Sequence, residues 1–182
     1  MLDTRLLLVL LVFLPSLLRA DSERFFRLDA ETLAKPQQSF LRENKNFRCQ
    51  LLSTTNRLTS CSSTKEFYLD RVWDFAVATF SNGTLVGLEF RINGNDLSLS
   101  SETFRQVVYF VTNQLGSPLK LASNVDENTI SEALWRPRGS ELLKLSHKRS
   151  NRGPAFVVQA QLVSLRFPQE AISADPPTRN KN

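Results

Sequence analysis

Two stretches of alternating apolar and polar residues, joined at Asn82-Gly83, give the sharpest signal in the chain. From Arg71 onward, Trp73, Phe75, Val77 and Thr79 alternate with Asp74, Ala76, Ala78 and Phe80. Beyond Ser81-Asn82-Gly83-Thr84, Val86, Leu88, Phe90 and Ile92 share one face opposite Leu85, Gly87, Glu89 and Arg91. Period two is the repeat of a half-buried strand, and Asn-Gly supplies the positive φ angles of a type I′ turn, so the pattern predicts a β-hairpin. Asn82-Gly83-Thr84 also fits an N-glycosylation sequon. The hairpin needs the same residues for conformational reasons, so that match carries little weight.

Upstream, Phe47 to Leu52 reads as a strand, and Ser53 to Ser63, rich in Ser, Thr and Asn, as a turn or a returning edge strand. The period changes after the turn Asn93-Gly94-Asn95-Asp96. Phe104, Val107, Val108, Val111 and Leu115 recur at three and four residues and predict a helix over Ser101 to Leu115. Ser100 reads as its N-cap, Leu99 and Phe104 as a hydrophobic staple, and Gly116 with Pro118 as its stop. A loop is expected from Ser117 to Thr129. Three strands then follow, Ala133 to Arg136, Leu142 to Lys148 and Phe156 to Leu165, as an antiparallel meander. In the last of them Phe156, Val158, Ala160 and Leu162 alternate with Gln159 and Gln161.

One striped helix and several one-sided strands bury each other most economically as an α+β fold. The expectation is a mostly antiparallel sheet of about five to seven strands with one main helix, about 100–115, packed on one face. No internal repeat is visible. A single domain is expected over residues 47–166. Before it, residues 21–46 form a polar segment with a short helical candidate, Asp29 to Ala34, that Pro36 interrupts. After it, residues 167–182 hold Pro168, Pro176 and Pro177 and are expected to be disordered.

Residues 1–20 belong to a different class. Arg5, the apolar run Leu6 to Leu14, and the small residue Ala20 follow the order of a cleavable secretory signal, with cleavage expected after Ala20. Spanning a bilayer takes about 20 apolar residues. Leu6 to Leu18 is shorter and contains Pro15, which favours cleavage over anchoring. The expected destination is therefore secreted, either extracellular or the bacterial periplasm. The chain's two cysteines, Cys49 and Cys61, fit that address, because an isolated pair in an oxidising compartment forms one disulfide. Closing a loop of about a dozen residues stabilises a fold by about 3 kcal/mol in the chain-entropy treatment.

Charge changes the picture little. The whole chain carries +5, and without Arg5, Arg19 and Asp3 the rest keeps 21 basic and 17 acidic side chains, net +4. That excess is too mild for a nucleic-acid partner, and membrane contact is expected to be at most peripheral. The densest basic stretch, Arg136, Arg138, Lys144, Lys148, Arg149 and Arg152, is a candidate anion-contacting surface. The turns set Arg136 and Arg138 at one end of the meander and Lys148, Arg149 and Arg152 at the other, and Lys144 and His147 have opposite parity.

Catalytic chemistry finds no constellation. The one histidine, His147, reads as a surface strand residue whose protonation nearby Lys144, Lys148 and Arg149 disfavour. Asp74 and Glu89 fall on facing strands, and Asp126 with Glu127 lies in a polar loop without the spacing of a calcium site. The six glycines form no phosphate-cradling motif. No catalytic residue, cofactor or metal is expected. The sequence therefore favours a non-enzymatic binding or accessory protein of the envelope or extracellular space, whose partner is a protein or envelope component of unknown identity. The alternative is a small secreted hydrolase or isomerase with a carboxylate-based site that uses Tyr68 or Tyr109.

Overall fold

The computed structural model of the chain describes residues 25–26, 33–54, 57–151 and 153–166. Its elements in order are β1 (Phe25–Phe26), α1 (Gln37–Glu43), β2 (Arg48–Ser53), β3 (Leu58–Tyr68), β4 (Arg71–Ser81) and β5 (Thr84–Gly94). They continue with α2 (Leu97–Leu115), β6 (Lys120–Ser123), β7 (Thr129–Trp135), β8 (Glu141–Arg149) and β9 (Phe156–Ser164). The segment ending at Ala20, residue Arg152 and the tail over 167–182 lie outside the described residues.

Strands β2 to β9 form one antiparallel sheet in the spatial order β2-β3-β4-β5-β9-β8-β7-β6, and β1 adds two residues parallel to the far end of β3. The fold is α+β, as expected, but with eight antiparallel strands rather than five to seven, and with two helices. Two strands account for the difference. β3 is a full strand of 11 residues where a turn or short return was expected, and β6 is an edge strand of 4 residues inside the expected loop.

The central hairpin forms as the alternation predicts. Asn82 and Gly83 both take positive φ, 50° and 74°, the pair that lets a two-residue turn follow the twist of its strands. One strand departs from simple parity. Lys65 in β3 has φ 58°, and there the inward-facing set changes from Cys61 and Ser63 to Glu66 and Tyr68. Opposite it, Trp73 joins Ala76, Ala78 and Phe80 on the buried face instead of alternating with them. Trp73 Nε1–H donates to the Tyr68 carbonyl at 2.6 Å, and Tyr68 stacks on Phe90 at 4.2 Å.

Both helices cover this face. Helix α2 begins one turn earlier than expected, at Leu97, because the Asp96 carboxylate accepts the Leu99 N–H at 2.8 Å and so caps it in place of Ser100. Helix α1 starts directly after Pro36, which suits a residue with no N–H to satisfy; of the helical candidate Asp29 to Ala34, residues 29–32 lie outside the described residues. It drives Phe40 edge-on into Phe47 at 5.1 Å and Phe80 at 5.4 Å. Just before it, the backbone of Ala34 and Lys35 pairs with Leu85, and the Leu33 N–H donates to Glu141. The chain thus runs twice through a helix followed by a four-strand meander, the two meanders meeting at β5 and β9.

Candidate functional site

Alternation along β8 aims Leu143, Leu145 and His147 at the helices and Lys144, Ser146 and Lys148 at the opposite, open face of the sheet. His147 is therefore buried, not a surface residue as expected. It lies between Phe104 of α2, 6.3 Å away in a stacked orientation, and Phe156 of β9 at 5.9 Å. Its Nε2 is 3.0 Å from Ser100 Oγ. Ser100 Oγ is also within 2.8 Å of the Asp96 carbonyl and 3.1 Å of the Leu97 carbonyl, so the hydroxyl is tied to its own helix as well as to the ring. Burial holds the His147 pKa below its ordinary 6.5 and keeps the ring neutral. The lysines and arginine blamed at first for that shift are not its cause.

His147 forms the inner wall of a groove between α2 and the strands β6, β7 and β8. The groove has a volume of about 660 Å³. Phe104, Val108 and Leu121 give it apolar walls, Ser101, Thr112, Ser123 and Ser131 give it a row of hydroxyls, and Arg105, paired with Glu102, adds one cation. Tyr109, 72% exposed, and Leu121, 61% exposed, stand at its mouth. No aspartate or glutamate among the described residues lines it. Among the described residues the ring's hydrogen-bond partner is Ser100, whose hydroxyl also lies against backbone carbonyls of its own helix. The groove can hold a partly apolar ligand and hydrogen-bond its edges.

On the other flank of α2 lies a second depression of about 610 Å³, where Asp70, Arg71, Glu102 and Arg105 meet. Its carboxylates do not form an acid and base pair. Glu102 is engaged by Arg105 at 2.6 Å and Gln106 at 3.1 Å on its own helix, and Arg71 reaches Gln106 at 2.9 Å. Tyr68, the other tyrosine considered for a carboxylate site, is fully buried under the sheet.

The open face carries a network of charged and amide groups. Glu132 takes Lys144 at 2.6 Å and Lys120 at 3.0 Å, Glu89 takes Arg91, and Gln161 donates to Glu89 at 2.9 Å. Burial alone would raise the Glu132 pKa, but the hydrogen bonds from Lys144 and Lys120 outweigh it and hold the carboxyl below its ordinary value. Asp74 behaves in the same way: burial raises it, and Lys65 with the Asn93 N–H lowers it further. Asp74 and Glu89 are thus in separate networks. Asp126 accepts the N–H groups of Thr129 and Asn128, which hold its pKa down, and it closes a turn. Among the described residues no group of three or more His, Cys, Asp or Glu side chains could hold a metal.

Cys49 and Cys61 are bonded, with S–S 2.10 Å, at directly opposite positions of β2 and β3. Of the basic stretch, Arg136 and Arg138 lie before β8, Arg149 ends it, and Lys144 and Lys148 share the open face; Arg152 lies outside the described residues. No helix among the described residues is long and apolar enough to cross a membrane. No family model, curated protein or solved structure matches the chain.

Proposed function

We propose that the chain is a secreted, non-enzymatic binding or accessory protein that takes its ligand in the groove between α2 and β6–β8. The observation that carries the reading is the groove's lining. It has apolar walls, neutral hydroxyls, a buried histidine, exposed Tyr109 and Leu121 and one cation, Arg105, with no carboxylate among the described residues. Concave, mostly apolar surfaces with a few placed polar groups are where proteins hold ligands. Large apolar side chains left exposed around such a site are what a partner covers. The disulfide agrees with an oxidising destination.

The test is a photo-crosslinking residue at position 109, with one at Val72, an exposed site on β4, as the control, in chain expressed and exported by its native host. A discrete adduct at 109 that is absent at 72 supports the reading. Turnover in a broad substrate screen that disappears in His147→Gln, with no adduct at 109, overturns it in favour of an enzyme.

A further inference from the structure

Among the described residues, the open face of the sheet holds a cation that touches no carboxylate, next to a buried hydroxyl that makes no hydrogen bond. Of its neighbours on that face, Arg91 is paired with Glu89, and Lys120 and Lys144 with Glu132. Among the described residues, Lys148 Nζ is hydrogen-bonded instead to the neutral amide oxygen of Gln159 at 3.0 Å. Two residues away on the same face, Ser146 is fully buried and its Oγ has no partner. An unmade hydrogen bond of this kind is costly in a folded protein and wants an explanation.

Strand register says what surrounds these two groups. Glu132, Ser146, Gln159 and Arg91 stand side by side across β7, β8, β9 and β5. Directly opposed side chains in a sheet lie about 5 Å apart at Cβ, and residues i and i+2 about 7 Å apart, so a small ligand beside Ser146 is within reach of Gln159 and Lys148, and Lys144 and Arg91 approach it only through their long side chains. The carboxylates nearby are already engaged: Glu132 by two lysines, Glu89 by Arg91 and Gln161, and Asp126 by two backbone N–H groups. The remaining unmet demand is for an acceptor with negative charge. Gln159 can serve it too, since a half-turn of its amide presents N–H in place of the oxygen.

We propose that Lys148, Ser146 and Gln159, flanked by Lys144 and Arg91, form a binding site for a tetrahedral oxyanion group, a phosphate or a sulfate. Binding swings the Lys148 ammonium from the Gln159 oxygen onto an anion oxygen and uncovers the Ser146 hydroxyl, which donates to a second. The site lies on the opposite side of the sheet from the groove, so the two can be filled independently. Burial first, and then Lys144 and Arg91, hold the Lys148 pKa below its ordinary value, against the opposing pull of Glu89 and Glu132. A bound anion reverses that shift.

The experiment uses the full mature chain and inorganic sulfate and phosphate, each compared with sodium chloride at equal ionic strength. The first reading is thermal unfolding, and the second is the NMR titration of the lysine ε-methylene groups. The expected result is a saturable rise in melting temperature at millimolar anion and a rise in the Lys148 pKa. Lys148→Met abolishes the melting shift, and Ser146→Ala weakens the apparent affinity at least fivefold. Ser146→Ala removes a buried hydroxyl that has no partner, so this variant keeps the fold. Glycerol 3-phosphate is the third ligand. Binding more than threefold tighter than inorganic phosphate assigns the group to an organic phosphate, and equal or weaker binding assigns the free ion. No saturable shift in the parent chain, or an undiminished shift in both variants, overturns the proposal.

Discussion

The two halves of the sheet share a connectivity, a helix and then a four-strand antiparallel meander, but close over their helices in different ways. In the half built from α1 and β2–β5, a helix of only 7 residues presses Phe40 between Phe47 and Phe80. The Cys49–Cys61 bridge then ties the outer strand to its neighbour. In the half built from α2 and β6–β9, a helix of 19 residues packs on β8, β9 and β5. Toward β6 it overhangs, and Tyr109 and Leu121 stay exposed beside a groove. A short helix with a large aromatic anchor seals a sheet, whereas a long one with its apolar stripe centred elsewhere leaves a slot along its margin. The closed half supplies stability and the open half supplies surface.

If that division holds, the largest effect belongs to Phe40. Its side chain is fully buried among aromatic rings, so Phe40→Ala removes both burial and packing and costs about 3–5 kcal/mol in denaturant unfolding. A loss under about 1 kcal/mol, the level of an ordinary surface change, would show that α1 is an appendage and not the lid of the first half. Next comes the disulfide. With a sequence separation of 12, replacing Cys49 and Cys61 by Ala together costs about 3 kcal/mol. In the same variant, hydrogen exchange should speed up in β2 before β4 or β5, because β2 is held from one side only.

His147 links stability to pH in the open half. Its folded pKa lies below 6.5, so on acidification the unfolded chain takes up the proton first. The stability that the neutral ring contributes is complete above pH 6.5 and declines as pH falls toward the folded-state value. Glu132 and Asp74, also held low, add their losses only below their ordinary 4.5 and 3.8. Urea unfolding free energies should therefore fall between pH 6.5 and 4.5, and His147→Leu should flatten that interval while leaving the steeper decline below it. A flat parent curve there would mean that the ring is solvated in solution.

The same contrast governs how much could be read from sequence. The central hairpin was legible because Asn82-Gly83 and period two are local signals, and the body of α2 because its stripe is. The helix start was misplaced because Leu97 and Leu99 lie off the stripe and are exposed, which hid the turn that Asp96 caps. β6 was missed because its four residues show no buried face: Leu121, which ought to mark one, looks into the groove. His147 was read as a surface residue among lysines, although parity already separated it from Lys144. What buries it is a helix 47 residues upstream, and no local pattern carries that. The disulfide was legible from counting. The basic stretch was already divided in the sequence by turn position and strand parity, which is how Lys144 and Lys148 come to share the open face while Arg136 and Arg138 precede β8.

The smallest expected effect on stability is the most informative about function. Tyr109 is 72% exposed on α2, so Tyr109→Ser should change unfolding free energy by no more than about 0.5 kcal/mol, the range of surface substitutions. Pairing it with Leu121→Ser, on the strand side of the same groove, tests whether the two act as one surface. If the groove is where a partner docks, each single variant weakens capture of that partner, and the double variant falls short of the sum because either loss alone opens the contact to water. If instead these residues help to hold α2 on the sheet, the double variant unfolds at lower denaturant and α2 loses exchange protection along Phe104, Val107 and Val111. The first outcome keeps the division between a closed, stabilising half and an open, binding half. The second would make the groove a packing defect, and the two halves would then differ only in how well they are filled.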